Sequence, residues 1–336
     1  MKSPITGKEM KRMVKDYVLV FRKEEFPILY HYYHCEDSGE EFTDEGLDNL
    51  NVIQAYNQYR TRYNLAFPDE IKGIREQYGV SATKMAEILG FGVNVYRHYE
   101  SGEVPSISNA RLIQLVKDPA EFKKLVVASN VLTGNALDNA MKRIDGLISC
   151  QSDFNSIGLP KYLMTGLENG RASIFTGYRT PSLARLIEMI VYFTAACKPW
   201  KTKLNKLLFY ADFSHYKQAG FSISGAEYVA IQMGPVPLNF GSIFEYAAMQ
   251  EIIDITYQEF QNGGIGELFT PHPNRSFDVS LFAEAELRSM KIILDRFKDS
   301  STADIVKISH EEAAWSENFN EKKKISYDYA FKLVNA

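Results

Sequence analysis

Residues 81–102 read SATKMAEILGFGVNVYRHYESG. Ser81 can cap a helix, because its hydroxyl accepts a bond from a free N–H of the first turn. Met85, Ile88 and Leu89 then recur at helical spacing. Gly90 and Gly92 flank Phe91 and permit backbone angles that a branched residue resists. A second short helix is expected from Val93, with Val95, Tyr96 and Tyr99 turned inward and Gly102 closing it. This is the spacing of a helix-turn-helix, whose second helix can lie in the DNA major groove. Asn94, Arg97 and His98 would then face outward; Asn suits adenine and Arg suits guanine. The alternative is a helical hairpin buried inside a larger domain.

The flanks complete a bundle. Pro68-Asp69-Glu70 opens a helix toward Tyr78, with Pro68 suited to a first turn. After Pro105 and Ser106, Leu112, Ile113, Leu115 and Val116 predict a short buried helix that stops before Asp118-Pro119. Pro119 opens another, carrying Phe122, Leu125 and Val126. Five helices are expected over 67–128. With that context, Ser81 to Gly102 resembles the repressor-type helix-turn-helix of the Xre class. The run GVNVYRHYE, Gly92 to Glu100, is similar to the narrower MqsA antitoxin group. The resemblance implies base contacts at Asn94 and at the position of His98. That group usually has arginine there, so His98 is a departure that bears on the operator sequence and not on the docking mode.

At 336 residues the chain is expected to hold two or three domains, and 45% apolar content suffices for real cores. No run of about 20 apolar residues predicts a membrane span. The opening MKSPITGKEM lacks the apolar core of a signal peptide. Cys35, Cys150 and Cys197 are few, odd in number and far apart, which argues against a disulfide scaffold and for the cytoplasm. The net charge is −4, and residues 67–128 carry eight basic and eight acidic groups. Non-specific phosphate binding should be weak, so DNA affinity would need a homodimer on a two-part site as well as base contacts.

Residues 1–42 predict a small β-ribbon, with strand formers in Met13 to Phe21 and Ile28 to Tyr33. Two knuckles frame it, Ser3-Pro4-Ile5-Thr6-Gly7 and Cys35-Glu36-Asp37-Ser38-Gly39. Both follow the outline of a zinc knuckle, but Ser3, Thr6 and Ser38 stand where cysteines would. Tetrahedral structural zinc wants four thiolate or imidazole ligands, so no metal is expected. The MqsA-type antitoxins carry an N-terminal zinc module, and this resembles a degenerate copy. His31 and His34 read as ordinary strand histidines. A long helix should begin at Thr43, followed by Asp44 and Glu45, and continue toward Tyr63.

Residues 129–180 read as a connector holding one helix, Asn135 to Leu147. Beyond Pro181 the chain predicts apolar helices over Leu183–Cys197 and after Pro199, a stiff bend at Gly234-Pro235-Val236-Pro237, a strand over Glu251–Phe260, and a long helix over Phe277–Phe297. His310 and Trp315 would sit near the start of a last helical stretch. Three landmarks, Lys203-Leu204-Asn205-Lys206-Leu207-Leu208-Phe209-Tyr210, Gly234-Pro235-Val236 and Ser309-His310 through Trp315, together resemble the SocA-like Panacea domain. That resemblance implies an antitoxin domain that neutralises a cognate protein toxin by direct contact or, in one known case, by delivering it to a protease. Asp212, His215 and His310 could instead serve as acids or bases, but no ligand pair at metal spacing, nucleophile elbow or phosphate loop accompanies them. No cofactor and no enzymatic activity are expected.

The expected fold is α+β and mostly helical: a degenerate zinc-finger-like module at 1–66, a helix-turn-helix domain at 67–128, a connector at 129–180, and a helical domain with a small sheet at 181–336. The expected function is that of an antitoxin that also represses its own operon. Asn94, Arg97 and His98 are the candidate DNA contacts. The aromatic density around Tyr210, Tyr216 and Tyr228 is expected to be mostly core; its exposed members, with Trp315, are the candidate toxin contacts, since Tyr and Trp favour buried interface surface. A ligand-responsive transcription regulator and an enzyme using the C-terminal domain are the rival readings.

Overall fold

Two runs of β-branched and aromatic residues pair as a long antiparallel hairpin, β1 (Lys11–Phe21) and β2 (Glu24–His34). The turn residues Arg22 and Lys23 both take positive φ (50° and 68°), the geometry that matches the twist of the strands. A short β3 (Glu41–Phe42) pairs only with the end of β2. The rest of that edge is closed by a helix, α1 (Glu45–Tyr63). Asn51 accepts from the His31 N–H (2.8 Å) and donates to its carbonyl (2.9 Å). Gln54 does the same for Leu29, and Gln58 donates to the Pro27 carbonyl. Side-chain amides thus replace the next strand and leave no open edge there. Asp44, one residue later than expected, caps α1 by accepting from the Leu47 N–H at 2.9 Å.

The computed structural model describes residues 1–151, 158–165, 170–260 and 264–335, so parts of the expected connector lie outside the described residues. The chain divides into two compact units, Met1–Ser156 and Ile157–Ala336. In the first, the bundle comprises α2 (Pro68–Glu76), α3 (Ala82–Ile88), α4 (Val95–Glu100), α5 (Ile107–Leu115), α6 (Pro119–Ser129) and α7 (Gly134–Gln151). Ile71, Met85, Tyr96, Ile113 and Phe122 form its centre. The helix placed in the connector packs into the same core through Ala140 and Ile144. Two arginines fasten the β-ribbon module to the loop after α4. Arg22 donates to the Val104 and Pro105 carbonyls, and fully buried Arg60 donates to Gly102 at 2.6 Å.

The second unit contains α8 (Gly158–Thr165), α9 (Leu183–Cys197) and α10 (Lys201–Ala219), followed by β4 (Tyr228–Ile231), β5 (Gly234–Pro237) and α11 (Phe240–Met249). The hairpin β6 (Ile253–Glu259) and β7 (Ile265–Pro271) comes next, then α12 (Glu284–Phe297), α13 (Thr302–His310) and α14 (Ala313–Ser316). Every residue of α10 from Lys203 to Tyr216 is buried, so this helix is the core of the unit. The fold is mostly helical α+β, with small antiparallel sheets in both halves.

Three expectations change. Gly234 to Pro237 is not a bend but a strand, pairing Tyr228 with Pro237 and Ile231 with Gly234. An antiparallel ladder draws N–H groups from alternate residues only, which lets a Pro-x-Pro run lie along one edge. The helix expected from Phe277 starts at Glu284, because Glu286 folds back to accept from the Ala283 N–H at 2.7 Å. His310 ends α13 rather than opening a helix.

Candidate functional site

The helix pair α3 and α4, with the turn between them, is assembled by local chemistry. Ser81 accepts from the Lys84 N–H (3.2 Å) to start α3, and the turn that follows places Gly90 at φ +71°. α4 then runs for six residues. Its inner face is held by two tyrosines and an ion pair. The Tyr96 hydroxyl donates to the Ile71 carbonyl at 2.8 Å, and Asn109 donates to the Tyr99 hydroxyl at 2.9 Å. Arg75 grips Glu100 through two contacts (2.5 and 3.2 Å) while donating to the Val80 carbonyl. That half-buried partner raises the pKa of Arg75. The outer face presents Asn94, Arg97 and His98, all exposed. Asn94 stands at the cap position of α4, yet its side chain makes no capping bond. His98 lies 3.4 Å from Glu103 in an exposed pair. Val95 is only partly buried, and Val93, which the sequence placed at the helix start, is 59% exposed beside Asn94. The signal that could have found Val93 as a surface residue is its place in the turn, directly after Gly92 and three residues before the first buried position, Tyr96.

In the N-terminal module the four knuckle positions still converge. The Thr6 hydroxyl lies 3.6 Å from the Cys35 sulfur, and Ser3 and Ser38 also bond it. These hydrogen bonds, Ser3 first, pull the Cys35 thiol down to about 6. One sulfur and three neutral hydroxyls are a poor zinc set. Among the described residues, no group of three or more His, Cys, Asp or Glu is placed to hold a metal ion. His31 and His34 stand three apart in β2, hence on opposite faces.

In the second unit the three sequence landmarks meet. Lys206 on α10 is fully buried and donates to the Pro235 carbonyl at 2.8 Å. Burial pushes its pKa down to about 7. Gly234 has φ +98°, and a Cβ there would stand 2.5 Å from the Ser309 hydroxyl and 2.6 Å from the Lys206 Cε. His310 stacks on Trp315 (3.8 Å between centroids, 13° between planes), and Trp315 Nε1 donates to the Ile231 carbonyl. Burial, and then the nearby Lys206, lower the pKa of His310.

The residues considered for chemistry are structurally committed. One Asp212 oxygen accepts from the Ile223 and Ser224 N–H groups (2.7 and 2.8 Å), and the other from the Ser224 and Tyr228 hydroxyls (2.6 and 2.8 Å). His215 meets the Ser289 hydroxyl at 3.1 Å, and burial lowers its pKa to about 4. The tyrosine contact set is also revised. Tyr210 and Tyr228 are 0% exposed and Tyr216 is 2%, so none offers surface to a partner in this conformation. Only Trp315 is partly exposed. The exposed apolar side chains of this unit are others, among them Met249, Tyr257 and Ile265.

Comparison with protein families gives two matches. Residues 1–125 match the family described as the antitoxin component of bacterial toxin-antitoxin system, MqsA. Residues 204–316 match the family described as antitoxin SocA-like, Panacea domain. Two separate segments of the chain thus match antitoxin-family models. No curated protein matches it. The MqsA segment ends within α6, so α7 lies beyond it. The Panacea segment contains Lys206, Gly234, Pro235, Ser309, His310 and Trp315, the residues that meet around β5. Among the described residues no helix is long and apolar enough to cross a membrane.

Proposed function

We propose that the chain is the antitoxin of a type II toxin–antitoxin pair. The helix-turn-helix binds an operator upstream of its own gene pair, as a homodimer on a two-part site, and represses it. The Panacea-like unit binds the cognate toxin and blocks it, without enzymatic chemistry, in the cytoplasm. The observation that carries this reading is the joining of two antitoxin-family segments in one chain. The outward Asn94, Arg97 and His98, on a helix fixed from within by Tyr96, Tyr99 and Glu100, support the DNA half. Toxin contacts fall on the partly exposed Trp315 and on exposed apolar positions of the second unit such as Tyr257 and Ile265.

The test uses the full chain. Expression of the adjacent gene alone should arrest growth, and co-expression of the full chain should relieve it. Asn94→Ala and Arg97→Ala should each lose roughly 1–3 kcal/mol of operator binding and keep that relief. An arrest that the full chain does not relieve would overturn the antitoxin reading. Normal repression by both variants would remove these residues from the DNA contact.

A further inference from the structure

Between the start of α3 and the flank of α7 lies a pocket of about 350 Å3. Its polar lining is Ser81, Lys84, Asn139 and Arg143, over a floor that includes Leu132 and Ala140, and no carboxylate lines it. This contrasts with residues 67–128 as a whole, where acids and bases cancel. Arg143 is held in place. Its Nε donates to the Gln77 carbonyl (2.8 Å) and one terminal nitrogen to the Glu76 carbonyl (3.2 Å), at the end of α2. The other terminal nitrogen lies over Gly79, 3.1 Å from where a Cβ would stand. Lys84 shares its charge with Glu87 at 2.7 Å, whereas Asp145, two residues beyond Arg143, pairs with Lys123 instead. All four polar residues are exposed, which suits a group on another surface rather than an enclosed metabolite.

In a docked helix-turn-helix the first helix crosses the DNA backbone. Here that helix is α3, and the pocket opens beside its first turn. We propose that this pocket is a phosphate clamp for the operator backbone, with Arg143 and Asn139 of α7 joining Ser81 and Lys84 of α3. The inference rests on the DNA-binding reading and deepens it: α7, which lies outside the MqsA-matched segment, becomes a third DNA-contacting element. It supplies affinity where the net charge of the bundle does not. Phosphate contacts position a protein and carry no sequence information of their own.

The experiment measures binding of the full chain to its operator duplex and to a scrambled duplex of equal length, by fluorescence anisotropy over a salt series. Arg143→Ala should reduce the slope of log K against log salt by about 0.9, and weaken both duplexes by the same factor, roughly 5–10-fold at 0.1 M salt. Lys142→Ala, one residue away and outside the pocket lining, should leave the slope unchanged. Arg143 also caps α2, so Asn139→Asp provides a second reading: it leaves those bonds intact, puts a negative charge in the pocket, and should weaken both duplexes alike. Wild-type slopes in Arg143→Ala and Asn139→Asp, alongside lost operator preference in Asn94→Ala, would overturn the clamp and leave the DNA reading standing. Absence of binding by the wild type at low salt would overturn both.

Discussion

Replacing Lys206 by methionine should change how the stability of the C-terminal unit depends on pH. The amine is fully buried, its bond to the Pro235 carbonyl is to a neutral acceptor, and burial pushes its pKa from 10.5 to about 7. The unfolded chain therefore holds more protons than the folded one between pH 7 and 10.5, and stability rises with pH across that window. Below pH 7 both states are protonated and the full penalty applies. At about 1.4 kcal/mol per pH unit, with the lysine half-titrated in the folded state at pH 7, the gain from pH 7 to pH 9 is about 2 kcal/mol. Methionine has similar length and no charge, so its profile should lack this rise. The window avoids His215, whose pKa is lowered to about 4 so that its effect on stability falls below pH 6.5, and the buried tyrosines, which titrate above their ordinary value of 10. The assay is urea unfolding followed by tryptophan fluorescence. Both tryptophans, Trp200 and Trp315, lie in the second unit, so the signal reports on that unit alone. Relative to Lys206→Met, wild type should gain about 2 kcal/mol of stability from pH 7 to pH 9. Parallel profiles would refute a depressed Lys206 and the dry environment argued for it.

Two further substitutions probe the same core. Gly234→Ala places a Cβ against Ser309 and Lys206 at a φ that alanine resists, and should cost about 2–4 kcal/mol of unfolding free energy by the same fluorescence assay. Asp212→Ala leaves two N–H groups and two hydroxyls without their acceptor, and should cost at least about 3 kcal/mol, read as a lowered urea midpoint.

The helix pair α3 and α4 was legible because its signals are local: a serine cap, glycines in the turn, and two inward tyrosines within five residues. Asn94, Arg97 and His98 fall on the outside, as the spacing required. What the sequence hid was long-range. The start of α12 is set by Glu286, which also pairs with Arg179 and Arg185 from far upstream. The helix at 134–151 read as part of a connector because the group that anchors it to α2, Arg143 on the Gln77 and Glu76 carbonyls, reaches far back along the sequence. Aromatic density around Tyr210 and Tyr228 read as mostly core with exposed members suited to an interface, since a tyrosine suits a wet surface and a hydrogen-bonded core equally well. Only the positions of Glu312 and Asp212, which meet their hydroxyls, decide for the core.

The landmarks that made the C-terminal segment recognisable point inward. Lys206, Gly234, Pro235 and Ser309 fix β5 against α10 and α13, and each is buried. Trp315 is pinned through its indole nitrogen and stacked on His310. Residues under such packing constraints specify a scaffold, and a scaffold can be shared by chains that bind different partners. On the proposed reading, toxin identity then resides in exposed positions such as Met249, Tyr257 and Ile265, where substitution disturbs little packing. A variant altered at those three positions should keep the wild-type urea midpoint and lose relief of growth arrest. The same relief surviving in that variant would place the toxin contact elsewhere, with Trp315 the first position to test.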